Sequence, residues 1–127
     1  MGLRCSACAW ALLDNYTAMP YNGQMVFIET SVFTNLLYDY LTEDEYMGLQ
    51  GYMFKNPEAG DIVPGSGGVR KLRWSMAGKG KRGGVRVIYF FKKRDKEIWM
   101  LTIYGKSQVE NIPAHILRQI AEEIKDA

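Results

Sequence analysis

The sequence is poor in the residues that build metal centres, disulfide frameworks and nucleophilic catalytic sites. Its 127 residues include two cysteines and one histidine. Cys5 and Cys8 form a lone C-x-x-C pair, and no second pair is present to complete a four-ligand zinc site. His115, as the single histidine, leaves Ser-His-Asp and Cys-His catalysis without support. We therefore expect no metal, no cofactor and a reducing, cytoplasmic compartment.

Long apolar segments are also absent. No stretch approaches the roughly 20 apolar residues that a membrane-spanning helix needs, so we expect no membrane partner. Hydrophobic residues make up 47% of the chain and aromatic residues 13%, a composition that argues against disorder. A length of 127 residues suits one domain with one core.

Residues 1–24 differ in character from the rest of the chain. They contain one apolar run, 7–13, which is followed directly by Asp14 and not by a small-residue cleavage site, so the run is a poor secretory signal. Met25 begins a clean strand pattern. We expect residues 1–24 to be an N-terminal extension, disordered or not native to the module, with translation starting at Met25. Residues 25–127 are then expected to form the domain.

The first half of that domain shows one strand and two helices. Residues 25–29 form a short β-branched and aromatic run, which is typical of a strand. Apolar residues then recur at i, i+3, i+4 and i+7 over 33–40, which predicts an amphipathic helix. Thr42 and Glu45 match a capping box, so a second helix begins there, and Pro57 marks its end.

The second half shows three strands and a final helix. Strand patterns cover 69–74, 85–91 and 97–104, and the middle one is apolar at nearly every position, which predicts a central strand covered on both faces. The last helix begins near Pro113. The order β-α-α-β-β-β-α predicts an α+β fold: an antiparallel sheet packed by an N-terminal helical hairpin and a C-terminal helix.

Positive charge is concentrated in one part of the chain. Twelve of the 16 lysines and arginines lie between Arg70 and Lys106, where only Asp95 and Glu97 oppose them. That stretch carries about +10 and the remainder about −8, although the total is only +2. Cations on strands, with aromatic residues among them, are typical of proteins that bind polyanions such as nucleic acids.

Three of these cations are expected to converge. Lys71 and Arg73 share one face of their strand because they are two residues apart, and Arg86 lies on the next strand. Like charges brought together are costly unless an anion sits between them. The pattern favours a phosphate clamp, and the alternative is an ordinary solvated sheet face.

A glycine-rich segment lies between those two strands. Gly78 to Gly83 matches G-x-G-x-x-G, but a strand follows it instead of a helix, so a dinucleotide site is not indicated. Its three cations, Lys79, Lys81 and Arg82, favour an arm that follows a phosphate backbone. The alternative is a flexible hairpin loop with no ligand.

Further candidate RNA contacts flank the cationic strands. Tyr89 and Tyr104 offer rings on which bases stack, although each also fits a position in the core. Arg70 begins the first cationic strand, and Lys106 projects from the end of the last strand after Gly105.

These segments resemble the RelE/ParE superfamily of bacterial toxins of type II toxin–antitoxin systems, and most of all its HigB-like RelE branch. The resemblance rests on G-G-x-R-K-x-R at 67–73, G-K-G-K-R-G-G-x-R-V-I-Y at 78–89 and L-T-I-Y-G-K at 101–106. It extends over residues 25–126. It implies a RelE-like fold with the element order given above.

The resemblance also implies an activity. RelE-like members cleave mRNA in the ribosomal A site without a metal, by attack of a ribose 2′-OH on the adjacent phosphate. By similarity, Lys71 and Arg73 would hold that phosphate, with Lys71 acting as a base if its neighbours favour its neutral form. Arg86 would stabilise the pentacovalent phosphate, and Lys106 falls in the family's G-K position after the strand. An arginine proposed as general acid in RelE corresponds to Ser107 here, so the acid is unassigned.

Two other functions stay open. ParE-like members share the fold but poison DNA gyrase, and a non-catalytic RNA- or ribosome-binding module would use the same charge. For the toxin, the resemblance implies a cognate antitoxin with a DNA-binding domain as a protein partner, besides the ribosome and mRNA.

Overall fold

The helices of the protein begin where their capping residues predict. The computed structural model describes residues 16–21, 25–75, 84–105 and 112–126. Helix α1 comprises Ser31–Tyr40 and follows directly on strand β2, Met25–Thr30. Helix α2 comprises Glu43–Lys55 and begins with the predicted capping box, in which Thr42 Oγ1 accepts from the Glu45 N–H at 3.1 Å and Glu45 accepts from the Thr42 N–H at 2.8 Å.

The remaining elements complete a six-stranded sheet. Strand β1 is Tyr16–Tyr21, β3 is Asp61–Ile62, β4 is Arg70–Trp74, β5 is Val85–Lys92 and β6 is Glu97–Gly105. A 3₁₀ turn at Lys93–Asp95 joins β5 to β6, and helix α3 is Ala114–Asp126, directly after Pro113. The strand order is β1-β2-β6-β5-β4-β3. The α+β class is confirmed.

The sheet is mixed, which corrects the prediction of an antiparallel sheet. Strands β4, β5 and β6 are antiparallel as expected, but β2 pairs with β6 in parallel, from Val26 opposite Glu97 to Glu29 opposite Met100. Two helices and three further strands separate β2 from β6, which leaves room for the long crossover that parallel pairing needs. The residue pattern of one strand does not indicate whether it runs parallel or antiparallel to a strand about 70 residues away.

Two short strands lie where the sequence predicted none. Tyr16–Tyr21 falls within the segment 1–24 expected to be an extension, yet these six residues pair antiparallel with β2. Asp61–Ile62 falls within the expected loop and pairs with Lys71 and Arg70 of β4. Two residues are too few to show an alternation of apolar and polar side chains. Such a strand is recognised only by its pairing with a neighbouring strand.

Each face of the sheet packs against its own helical layer. One core cluster joins α1 and α2 to side chains such as Leu72, Val87 and Met100, and the second joins α3 to side chains such as Ile88 and Phe90. Strand β5 contributes to both clusters, so its predicted coverage on both faces is confirmed. We call the two surfaces the hairpin face and the α3 face. In the described segments, no helix is both long and apolar enough to cross a lipid bilayer.

A buried carboxylate ties the hairpin to the sheet. Glu29 of β2 is 5% exposed and accepts from the Tyr46 hydroxyl at 2.5 Å and from Thr34 Oγ1 at 2.8 Å. Burial raises the pKa of Tyr46, and the hydrogen bond to Glu29 acts in the same direction. The tyrosine therefore remains a donor, and the buried charge is satisfied by both helices.

Candidate functional site

The strand register brings two of the predicted arginines side by side. Arg73 of β4 lies directly opposite Arg86 of β5, and Arg86 lies directly opposite Tyr104 of β6. Directly opposed residues of an antiparallel pair have their Cβ atoms about 5 Å apart on the same face. Arg73, Arg86 and Tyr104 therefore form a row across three strands, near the end of the sheet where β5 begins.

Lys71 joins this row from the neighbouring position along β4. It lies opposite Ile88, so it is a diagonal neighbour of Arg86, at a typical separation of about 7–8 Å. Ile88 belongs to the core cluster under α3, which places Lys71, Arg73, Arg86 and Tyr104 on the α3 face. We call these four residues the cationic row. The predicted convergence of the three cations is present.

No acidic side chain among the described residues forms an ion pair with the cations of the row. Arg73 is exposed, and Lys71 and Arg86 are half-buried. Among the described residues none of the three forms an ion pair, although Asp61 lies across from Lys71 in the register of β3 and β4. Two unit charges at such separations repel by about 0.5–0.8 kcal/mol in water and by more in a less polar surrounding. A bound phosphate would remove that repulsion.

Arg86 lies close to Gly84, the residue that precedes β5. Its Nη1 atom lies 3.8 Å from the position that a Cβ on Gly84 would occupy, and Gly84 also faces the Trp74 carbonyl at 3.8 Å. The guanidinium is thus close to the ends of both strands that bracket the glycine-rich segment. The arm residues Lys79, Lys81 and Arg82, and also Lys106, lie outside the described residues.

Tyr89 belongs to the interior, which corrects its prediction as an RNA contact. Its side chain is 0% exposed and packs in the cluster on the hairpin face. Its hydroxyl accepts from the Gly60 N–H at 2.9 Å and donates to the Pro57 carbonyl at 2.9 Å. Burial raises the pKa of Tyr89, so the donated proton is retained. A ring enclosed in this way has no exposed face on which an RNA base could stack.

Arg70 forms hydrogen bonds to the same loop, although the sequence predicted it as an RNA contact. These bonds hold it apart from the cationic row. Its Nη1 atom donates to the Gly60 carbonyl at 2.8 Å and to the Glu58 carbonyl at 3.1 Å. It pairs with Tyr89 in the register, and the alternation along β4 puts it on the face away from Lys71 and Arg73. Trp74 lies on that side too, with its ring 5.3 Å from that of Tyr52.

One further group of cations lies at the turn between β5 and β6. Lys93 and Arg94 follow β5, and Lys125 ends α3 close to them around an open cleft. A signal was present in the run Lys92-Lys93-Arg94, but only the fold shows that the last turn of α3 adds a fourth charge and that two phenylalanines line the same cleft.

The described residues contain few groups for other kinds of chemistry. No three histidine, cysteine, aspartate or glutamate side chains lie close enough to hold a metal ion in residues 16–21, 25–75, 84–105 and 112–126. His115 is exposed on the first turn of α3. No protein-family model matches the chain. The cationic row is the strongest candidate site among the described residues, and clustered cations of this kind are suited to binding an anion such as a phosphate.

Proposed function

We propose that the protein is an endoribonuclease of the RelE kind, the toxin of a type II toxin–antitoxin system that cleaves mRNA at the ribosome and inhibits translation. One observation carries the proposal: Arg73 and Arg86 are opposed across two strands, Lys71 is diagonal to them, and no described acidic side chain pairs with any of the three. Such a cluster is matched to a phosphodiester, whose non-bridging oxygens accept from two guanidinium groups at once.

The proposed step is an internal transfer at phosphorus. The ribose 2′ oxygen bonds to the adjacent phosphorus, its proton passes to a base, and the bond from phosphorus to the 5′ oxygen breaks. The 5′ oxygen takes a proton, so the products are a 2′,3′-cyclic phosphate and a free 5′-OH. Negative charge builds up on the non-bridging oxygens in the transition state, where Arg73 and Arg86 would stabilise it.

The other members of the row would position the substrate. Lys71 would contact the same phosphate and serve as the base that accepts the 2′ proton. Tyr104 is half-buried beside Arg86 and would offer its ring to a neighbouring base, a role that Tyr89 cannot take. The arm with Lys79, Lys81 and Arg82, together with Lys106, would extend the contact along the RNA backbone.

A protein partner would follow from this activity. A nuclease directed at the cell's own cytoplasmic mRNA must be masked, so we infer a cognate antitoxin. Tyr38 and Met47 on the outer side of the helical hairpin are 59% and 62% exposed, and they would suit an amphipathic segment of that partner.

The test is primer extension on mRNA from cells in which the protein is induced. We expect shortened transcripts in translated regions, and we expect Lys71→Ala with Arg86→Ala to abolish both the cleavage and the growth arrest. Loss of one such charged donor typically costs about 10²–10³ in rate. Lys55→Ala removes one exposed charge from the end of α2 and should cleave normally.

Each alternative result would contradict the proposal, and two of them would identify a different function. Growth arrest by the double variant would show that the cationic row is not the active site. Trapped gyrase–DNA complexes with intact mRNA would identify a ParE-like poison, and ribosome binding without cleavage would identify a non-catalytic module.

A further inference from the structure

A second cationic site lies at the other end of β5. An open cleft of about 250 Å³ is lined by the end of this strand, the 3₁₀ turn and the last turn of α3. Its lining consists of Phe90, Phe91, Lys92, Lys93, Arg94 and Lys125. Four of these six side chains are cationic and the other two are aromatic. We call it the turn cleft.

The turn cleft is separate from the cationic row. Lys92 is six residues from Arg86 along β5, which corresponds to about 20 Å at 3.3 Å per residue. Between the two, α3 covers the sheet with Leu117, Ile120 and Ile124. One phosphate cannot therefore contact both places.

The charge of the turn cleft is only partly neutralised within the protein. Lys92 is 6% exposed and pairs with Asp95, with Nζ 3.0 Å from Oδ2. Arg94 approaches the same carboxylate at 3.5 Å but is 71% exposed. Among the described residues, Lys93 and Lys125 form no ion pair, so at least two charges at the cleft are not balanced.

The aromatic residues give the cleft a second recognition element. Phe90 is buried and carries the Lys125 ammonium over its ring, with Nζ 5.8 Å from the centroid. Phe91 is half-buried. An apolar floor with a cationic rim fits a nucleotide, whose base packs on the half-buried Phe91 ring while its phosphate pairs with lysine or arginine. At about 250 Å³ the cleft is smaller than the ~300–1,000 Å³ typical of drug-sized ligands, which suits one nucleotide unit.

We propose that the turn cleft is a second RNA-binding site that holds a nucleotide of the same strand outside the step being cleaved. The identity of the ligand rests on the proposed ribonuclease function. A stacked strand advances about 3.4 Å per nucleotide, so about 20 Å between the two sites corresponds to about six nucleotides, and an extended strand needs fewer. The cationic row would act on one phosphate while the turn cleft fixes the position of the strand.

The test compares two double variants that each remove two exposed charges. Lys93→Gln with Arg94→Gln removes them from the turn cleft, whereas Lys55→Gln with Arg118→Gln removes them elsewhere. Binding is measured by fluorescence anisotropy with a 12-nucleotide 2′-O-methyl RNA, which lacks the attacking hydroxyl. For the first variant we expect the slope of log affinity against log salt to become shallower by about 0.7, since the nucleotide in the cleft supplies one phosphate contact and each such contact on a single strand contributes about 0.7.

The control variant should keep the wild-type slope. In cleavage assays the turn-cleft variant should raise KM and leave kcat unchanged, because the contact holds substrate and transition state equally. Equal slopes for the two double variants would overturn the proposal. So would an equal loss of binding to a poly-glutamate peptide of the same length, since the cleft would then take any acidic chain. If the wild-type protein cleaves no RNA but the slope still falls for the turn-cleft variant alone, the second site stands and the ribonuclease function fails.

Discussion

Replacing Tyr89 with phenylalanine tests whether this residue supports the fold or the RNA. In the structure its hydroxyl joins strand β5 to the loop after α2, accepting from the Gly60 N–H and donating to the Pro57 carbonyl, each at 2.9 Å. Tyr89→Phe keeps the ring and the packing but leaves both backbone groups without this partner. Gly60 is buried, so water does not readily replace the lost bond at its N–H.

The expected cost follows from those two bonds. A net intramolecular hydrogen bond contributes about 1 kcal/mol, and a buried group left without a partner costs about 1–3 kcal/mol. We therefore expect Tyr89→Phe to lower the free energy of unfolding by about 2 kcal/mol, out of the ~5–15 kcal/mol typical of a domain. For a domain of this size that corresponds to a fall in Tm of about 5–10 °C.

A second side chain, that of Arg70, also binds this loop, so the two contacts can be tested together. Arg70 donates to the Gly60 carbonyl on the other side of the same residue, and a Cβ at Gly60 would lie 3.0 Å from both the Lys71 carbonyl and a Tyr89 ring carbon. Because Arg70 and Tyr89 clamp one glycine, Arg70→Met and Tyr89→Phe should not be additive, with a coupling of about 0.5 kcal/mol or more in a double-mutant cycle.

Urea unfolding followed by tryptophan fluorescence is the assay, with Tyr38→Phe as the matched control. Tyr38 is 59% exposed, so its variant should unfold within about 0.5 kcal/mol of the wild type. Binding of Tyr89→Phe to the 2′-O-methyl RNA should be unchanged at temperatures where the protein is folded. If Tyr89→Phe instead unfolds at the wild-type urea concentration and weakens RNA binding, the assignment of this ring to the interior is wrong.

Two further predictions concern the charged groups. Arg73→Gln with Arg86→Gln should make the salt dependence of RNA binding shallower by about 0.7 in the log–log slope, measured by anisotropy, because the two arginines share one phosphate, and an unchanged slope would show that these arginines do not contact phosphate. At the turn cleft, the ion pair with Lys92 holds the pKa of Asp95 below its usual range. The pair should therefore stabilise the folded state fully at neutral pH and lose its effect as the pH falls through that lowered pKa. A carboxyl NMR titration should show the Asp95 midpoint moving up in Lys92→Met; a midpoint that stays low would assign the effect to Arg94.

Much of the site could be predicted because it depends on alternation within single strands. Spacing by two puts Lys71 and Arg73 on one face and Leu72 on the other, and the structure agrees. The same rule applied along β5 places Tyr89 with Val87 on the buried hairpin face. The core position that the sequence left open for Tyr89 is therefore the one it occupies.

Local chemistry alone determined the start of α2 at Thr42, the coverage of β5 on both faces and the α+β class, because caps and apolar periods act over a few residues. Tertiary structure decided which residues meet: the parallel pairing of β2 with β6, the opposition of Arg73 and Arg86, and the approach of Lys125 to the turn after β5. Those contacts join residues far apart in the chain. Their geometry is set by packing both faces of the sheet at once, and no local pattern carries that information.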